Sequence, residues 1–485
     1  MAFNDIREFI EAADKLGECR VIEGANAESD IGALTEAFAE QANPPLLLFD
    51  KIQDYQPGFR VASNLFSTAR RTAMAYGFPQ DTKGVELVRA LKNKIKNGIK
   101  LIPPVEVKDA PVKENVLQGG KIDLLKIPTP RWHEFDGGRV IGTGCCCIAR
   151  DPDEGWVNFG AYRVQVQDKT KATVQISPNH DGKIIAKKYW AKGKPCPMAI
   201  SCGQEPLLFA ASGWEHNPWG ESEYDFTGGL RGEPVQVTKG VATDLPLPAT
   251  AEIVLEGELM PPEVETLPEG PFGEAFGYYA GGVGYEPVLR IKAILHRNNP
   301  ILQGNPPSRF PGVWTLGRHF QKAAVLWNQL DAQSPGITGV RMVEDASVHP
   351  MVFISVKQAY SGHAKQAALI AAGSSATRNL TFIVVVDDDI DPFNTSEVLW
   401  AMATRCDPET QIDIIRGCYA VKSIPQVTPQ MKELGRLEES TAIILACKPF
   451  HRMNEFPRSA KSSPEYIAKA REKFKYLFKL DGSGS

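Results

Sequence analysis

The sequence predicts an α/β protein of several domains, on three observations. The chain has 485 residues, too many for one ordinary hydrophobic core. Its 43% hydrophobic and 23% charged residues are the proportions of a globular chain. Its texture also changes twice: strands and helices alternate near the start, short β-branched runs fill the middle, and the alternation returns near the end.

Residues 1–114 read as a small α/β unit. "DIREFIEAADKLG" has apolar residues at helical spacing and stops at Gly17, "PPLLLFDKI" and "FRVASNLF" read as strands, and "GVELVRALKNKIKNG" reads as a helix closed by Gly98. Residues 115–318 read as an antiparallel barrel or sandwich, because "GCCCIARD", "WVNFGAYRVQVQDK", "ATVQI", "PMAISCG", "AEIVLEGEL" and "PVLRIKAILHR" are strand-like runs parted by Gly and Pro turns. "GKIIAKKYWAKGK" interrupts them as a short helix. Residues 319–450 return to α/β: "HFQKAAVLWNQLDA", "HAKQAALIAAG" and "TSEVLWAMATR" as helices, the last with Thr395 as N-cap, around the strands "VFISVK" and "LTFIVVVDDDID". "FIVVV" is apolar on both faces, as in a covered sheet. Residues 451–485 hold a loop and the amphipathic helix "SPEYIAKAREKFKYLF", which docks on its own chain or on a neighbouring subunit.

Several functions are excluded. With 54 basic and 58 acidic residues the net charge is −4, which gives no attraction for nucleic acid. No apolar run reaches the roughly 18 residues that span a bilayer, and the first helix has no signal-peptide core, so the chain reads as cytoplasmic and free of membrane. The nine cysteines include no CxxC pair and read as reduced packing residues; Cys145, Cys146 and Cys147 alternate faces on a strand. No GxGxxG or Walker motif follows a strand, which argues against dinucleotides and nucleoside triphosphates.

The candidate chemistry lies in the middle segment. "PEGPFGEAFGYY" places Glu269 and Glu274 among glycine, proline and aromatics, where proximity and desolvation raise the pKa of one carboxyl and a nearby arginine lowers the other. "WVNFGAYRVQVQDK" holds Asn158 and Arg163, which on one regular strand face opposite sides unless Gly160 permits a bend. "SPNHDG" supplies Asn179 and His180, and "GESEYDFTGGLRG" supplies Glu223 before a double glycine. An amide oxygen, an imidazole and a carboxylate together suit a divalent cation such as Mn2+ or Mg2+; each alone is equally a turn or cap former.

In order along the chain, Asn158 and Arg163, then His180, "SEYDFTGGLRGEPV", "AEIVLEGE", "PEGPFGEAFGYY" and "VVVDDDIDPFNTSEVLWAMATRCDP" closely resemble the UbiD family of decarboxylases, which use prenylated FMN. The resemblance covers nearly the whole chain. It implies an N-terminal α/β domain, a split β-barrel flavin-binding domain and a C-terminal α/β oligomerisation domain, assembled as a homo-oligomer (dimer or hexamer). It implies that Arg163, Glu269 and Glu274 form the catalytic network, and that Asn158, His180 and Glu223 hold Mn2+ (or Mg2+) at the cofactor phosphate, with K+ beside it. Asn158, Phe159, Gly160, Ala161, Tyr162 and Arg163 would line the flavin, with Asn179, His180 and Glu223. A UbiX-like flavin prenyltransferase would supply the cofactor.

The implied reaction is reversible, non-oxidative decarboxylation of an aromatic or α,β-unsaturated acid. Loss of CO2 from an sp2 carbon leaves electrons in the ring plane, where the π system cannot take them, so a cofactor must supply the sink. A general acid must then protonate that carbon, and Glu274 is the residue assigned. Two departures stand out, the first bearing on the cofactor contact and the second on substrate. Asn179 stands where some members carry glutamine. "LQGNPPSRFPGVW" lacks the histidine of dihydroxybenzoate-type members and carries Arg309 as a candidate substrate residue, which points away from catechols toward another aromatic acid or an aromatic acyl-CoA such as phthaloyl-CoA. A non-catalytic flavin-binding subunit of a larger carboxylase is the remaining alternative.

Overall fold

A computed structural model describes residues 3–142, 144–214, 218–309, 315–344 and 351–477. Helix Ile6–Lys15 begins where Asp5 accepts from the Glu8 amide and buries Ile6, Phe9, Ile10 and Ala13. It packs beside a four-stranded sheet in the order Cys19–Glu23, Leu46–Asp50, Arg60–Ser63, Ile301–Gln303. The last strand comes from far along the chain and runs parallel to Arg60–Ser63.

Glu252 fastens that return. Its carboxylate is fully buried and accepts from Arg7 Nε and Nη2, both at 2.7 Å, from Arg297 Nη1 at 3.2 Å and from the Ile301 amide at 3.1 Å. Glu252→Ala strips the Ile301 amide and the Arg7 guanidinium of their carboxylate and leaves Arg297 with Asp5 alone, and is expected to cost about 3 kcal/mol. Thermal melting should show a drop of several degrees. Glu11→Gln, which breaks an exposed pair with Lys15, should leave the melt unchanged.

The central sheet runs Val157–Gly160, Cys145–Arg150, Cys196–Cys202, Ile253–Leu259, Gly284–His296, Lys171–Gln175, Arg163–Val166. The long strand Gly284–His296 also pairs Asn115–Gln118 and Thr266–Glu269. Its two end strands, Val157–Gly160 and Arg163–Val166, are consecutive in sequence. Only Ala161 and Tyr162 join them, so three Cα steps bound the gap to at most about 11 Å. A sheet whose opposite edges are tied that closely must curl, and it forms a half-barrel with a seam. "WVNFGAYRVQVQDK" is therefore two strands on two sides of a seam, not one strand with a bend. Cys146 packs into one core with Ile148, while Cys145 and Cys147 face another. All nine cysteines are free thiols, seven of them buried.

The C-terminal sheet runs Ile337–Met342, Met351–Val356, Phe382–Asp387, Glu438–Ala446, Ile412–Tyr419, with the three inner strands parallel and the two outer ones antiparallel. Ile383 to Val386 are fully buried, as a covered strand requires, although Phe382 at its start is 38% exposed. Helix Thr395–Arg405 starts one residue earlier than expected: Asn394, not Thr395, is the N-cap and accepts from the Glu397 amide, while Thr395 Oγ1 accepts from Arg341. Helix Glu223–Arg231, which contains the double glycine Gly228 and Gly229, was not foreseen. They sit inside the helix for close packing: a Cβ on either would lie 2.3 Å from Ile102 O or Ile99 Cγ2. Among the described residues, no helix is long and apolar enough to cross a membrane.

Candidate active site

The seam gathers the candidate residues. Glu269 ends the strand Thr266–Glu269, and Glu274 follows in a turn closed by Glu274 N–H to Tyr278 O at 3.0 Å and Gly277 N–H to Glu274 O at 2.8 Å. Arg163, first residue of its strand, meets both. Its Nε and Nη2 donate to the two oxygens of Glu269 at 2.5 and 2.7 Å, and Nη1 donates to Glu274 Oε1 at 3.1 Å. Glu269 is 2% exposed. The guanidinium lies 4.9 Å from the Phe272 ring centroid, a cation–π contact.

Two carboxylates thus share one guanidinium, and the sharing is unequal. Glu269 holds the planar fork bidentately, with both oxygens engaged. Glu274 has one longer bond. Desolvation pushes the Glu274 pKa up, and the charge of Glu269 adds to this against the opposing pull of Arg163 and Lys432. The arrangement keeps Glu269 paired and equips Glu274 to carry a proton.

On the other side of the seam, Glu223 opens its helix and is buried. It accepts from the Phe159 amide at 2.8 Å and from Asn158 Nδ2 at 3.3 Å. Among the described residues no Lys, Arg or His nitrogen is within ion-pair distance of it, and burial pushes its carboxyl up to about 8. Tyr162 OH donates to Asn158 Oδ1 at 3.1 Å and accepts from the Gly182 amide at 3.1 Å. Its ring lies against Gly160 and Gly182, where an added Cβ would fall 2.5 and 2.6 Å from ring atoms or the hydroxyl. His180 is the N-cap residue of helix Asp181–Trp190, with its ring 5.8 Å from that of Tyr162. The structure thus brings Asn158 and Glu223 into contact and sets His180 one tyrosine ring away; Asn179 beside it is exposed.

This donor set fits a hard divalent cation. A buried carboxylate with no basic partner at hand is stabilised by one, and amide oxygen and imidazole are compatible ligands. Among the described residues no cluster of three His, Cys, Asp or Glu forms a metal site, so a cation here needs the Asn158 amide, turned to present its oxygen. Arg309 is exposed and abuts the glutamate turn: a Cβ on Gly277 would lie 2.9 Å from its Cα. Residues 310–314 of its segment lie outside the described residues.

Other contributors were not foreseen. Asp136, 2% exposed, accepts from the Gly273 amide at 3.0 Å, directly before Glu274, and from the His133 amide at 3.0 Å. Gln165 Oε1 accepts from the Gly270 amide at 3.1 Å. Phe272 and Lys432 complete the surroundings. Of these, Gln165 and Phe272 lie in stretches that sequence had singled out, though neither residue was itself picked.

Family models match in three consecutive stretches: the 3-octaprenyl-4-hydroxybenzoate carboxy-lyase N-terminal domain at residues 10–91, its Rift-related domain at 104–310 and its C-terminal domain at 316–446. A phenolic acid decarboxylase of Bacillus subtilis (strain 168) is 33% identical over 447 residues, 88% of this chain and 90% of the relative. The vanillic acid decarboxylase of Sedimentibacter hydroxybenzoicus in open form superposes with TM-score 0.86 at 29% identity, covering 99% of this chain and 100% of that one. An evolved dimeric form of the UbiD-class enzyme HmfF from Pelotomaculum thermopropionicum, in complex with prFMN, superposes with TM-score 0.81 at 28% identity over 96% of this chain and 98% of the other. Fold and site together define a carboxy-lyase. The chain belongs to the UbiD family of decarboxylases.

Proposed function

We propose that this enzyme decarboxylates an aromatic carboxylic acid with prenylated FMN bound along the seam, and that Glu274 is the proton donor. The observation that carries this is the unequal sharing of Arg163 between a bidentate Glu269 and a singly bonded, desolvated Glu274. When bound, the modified flavin supplies the electron sink that no side chain offers. The chain's own residues do the rest. Phe159 to Tyr162 would line the cofactor, and Arg163 grips Glu269 bidentately and orients Glu274. Glu274 delivers its proton to the ring carbon that loses CO2. Asn158, His180 and Glu223 would hold Mn2+ or Mg2+ against the cofactor phosphate, with K+ nearby. Arg309, beside the turn, is placed to meet a substrate carboxylate or polar substituent. The relatives lend no support to an acyl-CoA substrate or to a non-catalytic subunit.

The test is direct. Protein co-produced with a UbiX-like flavin prenyltransferase is offered a panel of aromatic and α,β-unsaturated acids, and CO2 release is measured. Release from at least one aromatic acid, dependent on the prenyltransferase, is expected; none from any acid would sink the reading.

Two further outcomes follow from the same reading. Glu223→Gln keeps the shape but removes the charge a cation needs, so purified protein should lose its bound Mn2+ by elemental analysis and most of its flavin absorbance. Retention of both would move the metal elsewhere. Homo-oligomerisation through residues after 318 is supported by exposed apolar groups there. Ile412, Ile414 and Tyr419 lie on the outer strand, Leu399 and Trp400 on a helix, and Tyr466, Phe474, Tyr476 and Leu477 in and after helix Pro464–Lys473, none of whose residues is buried. Light scattering should report a multiple of 53.2 kDa at micromolar concentration; a monomer would refute it.

A further inference from the structure

The connection between strands Ile412–Tyr419 and Glu438–Ala446 reaches out of the C-terminal sheet onto the glutamate turn. Ala420, Ile424 and Val427 are buried in a small apolar cluster that Phe276 joins from the turn, along with Val421, Met431 and Leu437. Within this connection, helix Pro429–Glu433 is capped by Thr428, whose side chain accepts from the Met431 amide at 3.2 Å. The helix presents Lys432, half-buried, whose ammonium donates to the carbonyl of Ala280 at 2.8 Å. The next residue, Gly281, walls the carboxyl of Glu274: a Cβ there would lie 3.0 Å from Oε1. Lys432 therefore grips the backbone that borders the proposed proton donor, and it does so from a different sheet.

The charges around Glu274 come from several elements. Arg163 and Glu269 face it across the seam, and Lys432 faces it from the C-terminal connection. Asp136 and His133 hold the backbone before it, Arg309 abuts Gly277, and Glu286 faces Glu269 and Arg163 from the long strand. Arg163 is already committed bidentately to Glu269. Lys432 is the cation that the C-terminal part contributes to Glu274.

We propose that Lys432 is a positioning residue for Glu274: through the Ala280 carbonyl it ties the glutamate turn to the C-terminal connection, so that the donor is seated only while that connection is packed against it. The proposal rests on the reading of Glu274 as donor. Holding the turn limits the wander of the carboxyl relative to the reacting carbon, where a displacement of about 1 Å is enough to cost two orders of magnitude in rate. The same ammonium favours the ionised carboxylate and so tempers the effect of burial, leaving a donor that can also release its proton.

The test uses Lys432→Met and Lys432→Arg, with two readouts. In protein without cofactor or substrate, amide hydrogen exchange over residues 274–282 should quicken about tenfold in K432M and stay near wild type in K432R. In the holoenzyme, K432M should lower kcat roughly tenfold with little change in KM. It should also move the alkaline limb of the kcat profile up by about half a pH unit, less than a directly paired charge would give. K432R should restore both. A tie that only supports the fold would quicken exchange without moving the limb. Unchanged exchange, an unmoved limb, or no rescue by arginine overturns the proposal. The exchange measurement needs no turnover, so it separates failure of the tether from failure of the decarboxylase reading, which the acid panel tests on the wild-type enzyme.

Discussion

Glu274→Gln should bind its flavin at wild-type level and lose decarboxylation by at least the roughly 10²–10⁴-fold that general acid catalysis contributes. The amide occupies the same volume and accepts the same 3.1 Å bond from Arg163 Nη1, so the turn and the seam should stay in place. It has no acidic proton to give. The wild-type enzyme should also lose activity as pH rises through the upward-shifted pKa of Glu274, because the donor must be protonated and desolvation is what keeps it so. The glutamine variant should have no such limb in its residual rate. Turnover of a substrate beside flavin absorbance is the measurement. Wild-type-like turnover with full cofactor would remove Glu274 from the donor role, and joint loss of activity and flavin would make it a cofactor-binding residue instead.

The sequence resolved the elements better than it resolved how they meet. Periodicity and Gly stops placed helix Ile6–Lys15 and helix Gly84–Ile95, and β-branched runs placed most strands of the central sheet. What it missed was set by contacts distant in the chain. Helix Glu223–Arg231 was missed because the segment of residues 99–102 that excludes a Cβ at Gly228 and Gly229 is invisible locally. The four-stranded sheet is completed by Ile301–Gln303, far from its partners, and no pattern within either stretch announces the pairing. Asn394 displaced Thr395 as cap because Thr395 Oγ1 is taken by Arg341 from another strand.

The site follows the same division. Asn158 and Arg163 looked misplaced on a single strand, since odd spacing sends them to opposite faces. The half-barrel resolves this: the break at Ala161 and Tyr162 sends the chain from one edge of the sheet to the other, and the two residues stand on the two sides of the seam. The Arg163–Glu269–Glu274 contacts had been expected from motif resemblance, and the structure gives them a geometry. Asp136, Gln165 and Lys432 carry no local signal, because an Asp, a Gln or a Lys that holds a remote backbone group looks like any solvated side chain.

Arg163→Lys should be nearly as damaging as loss of the donor, although charge is conserved. Arginine makes three bonds at once: Nε and Nη2 to Glu269 at 2.5 and 2.7 Å, and Nη1 to Glu274 at 3.1 Å. A planar fork can do this, and a point-charge ammonium on a flexible stem cannot. Lysine would either stay with Glu269 and release Glu274, or sit between them and leave the 2%-exposed Glu269 under-paired in a buried site. Both results scatter the carboxyl that must meet the carbon, and the face of Phe272, 4.9 Å from the guanidinium, loses its flat partner. A fall in kcat of about 10²-fold or more is expected. Glu269→Gln should be severely impaired as well, because it removes the anion that holds the fork. The double variant should then be little worse than either single one, since the three residues act as a unit and the first substitution already dismantles it. Losses that multiply in the double variant would show that Arg163 and Glu269 act independently, and the shared network would have to be abandoned.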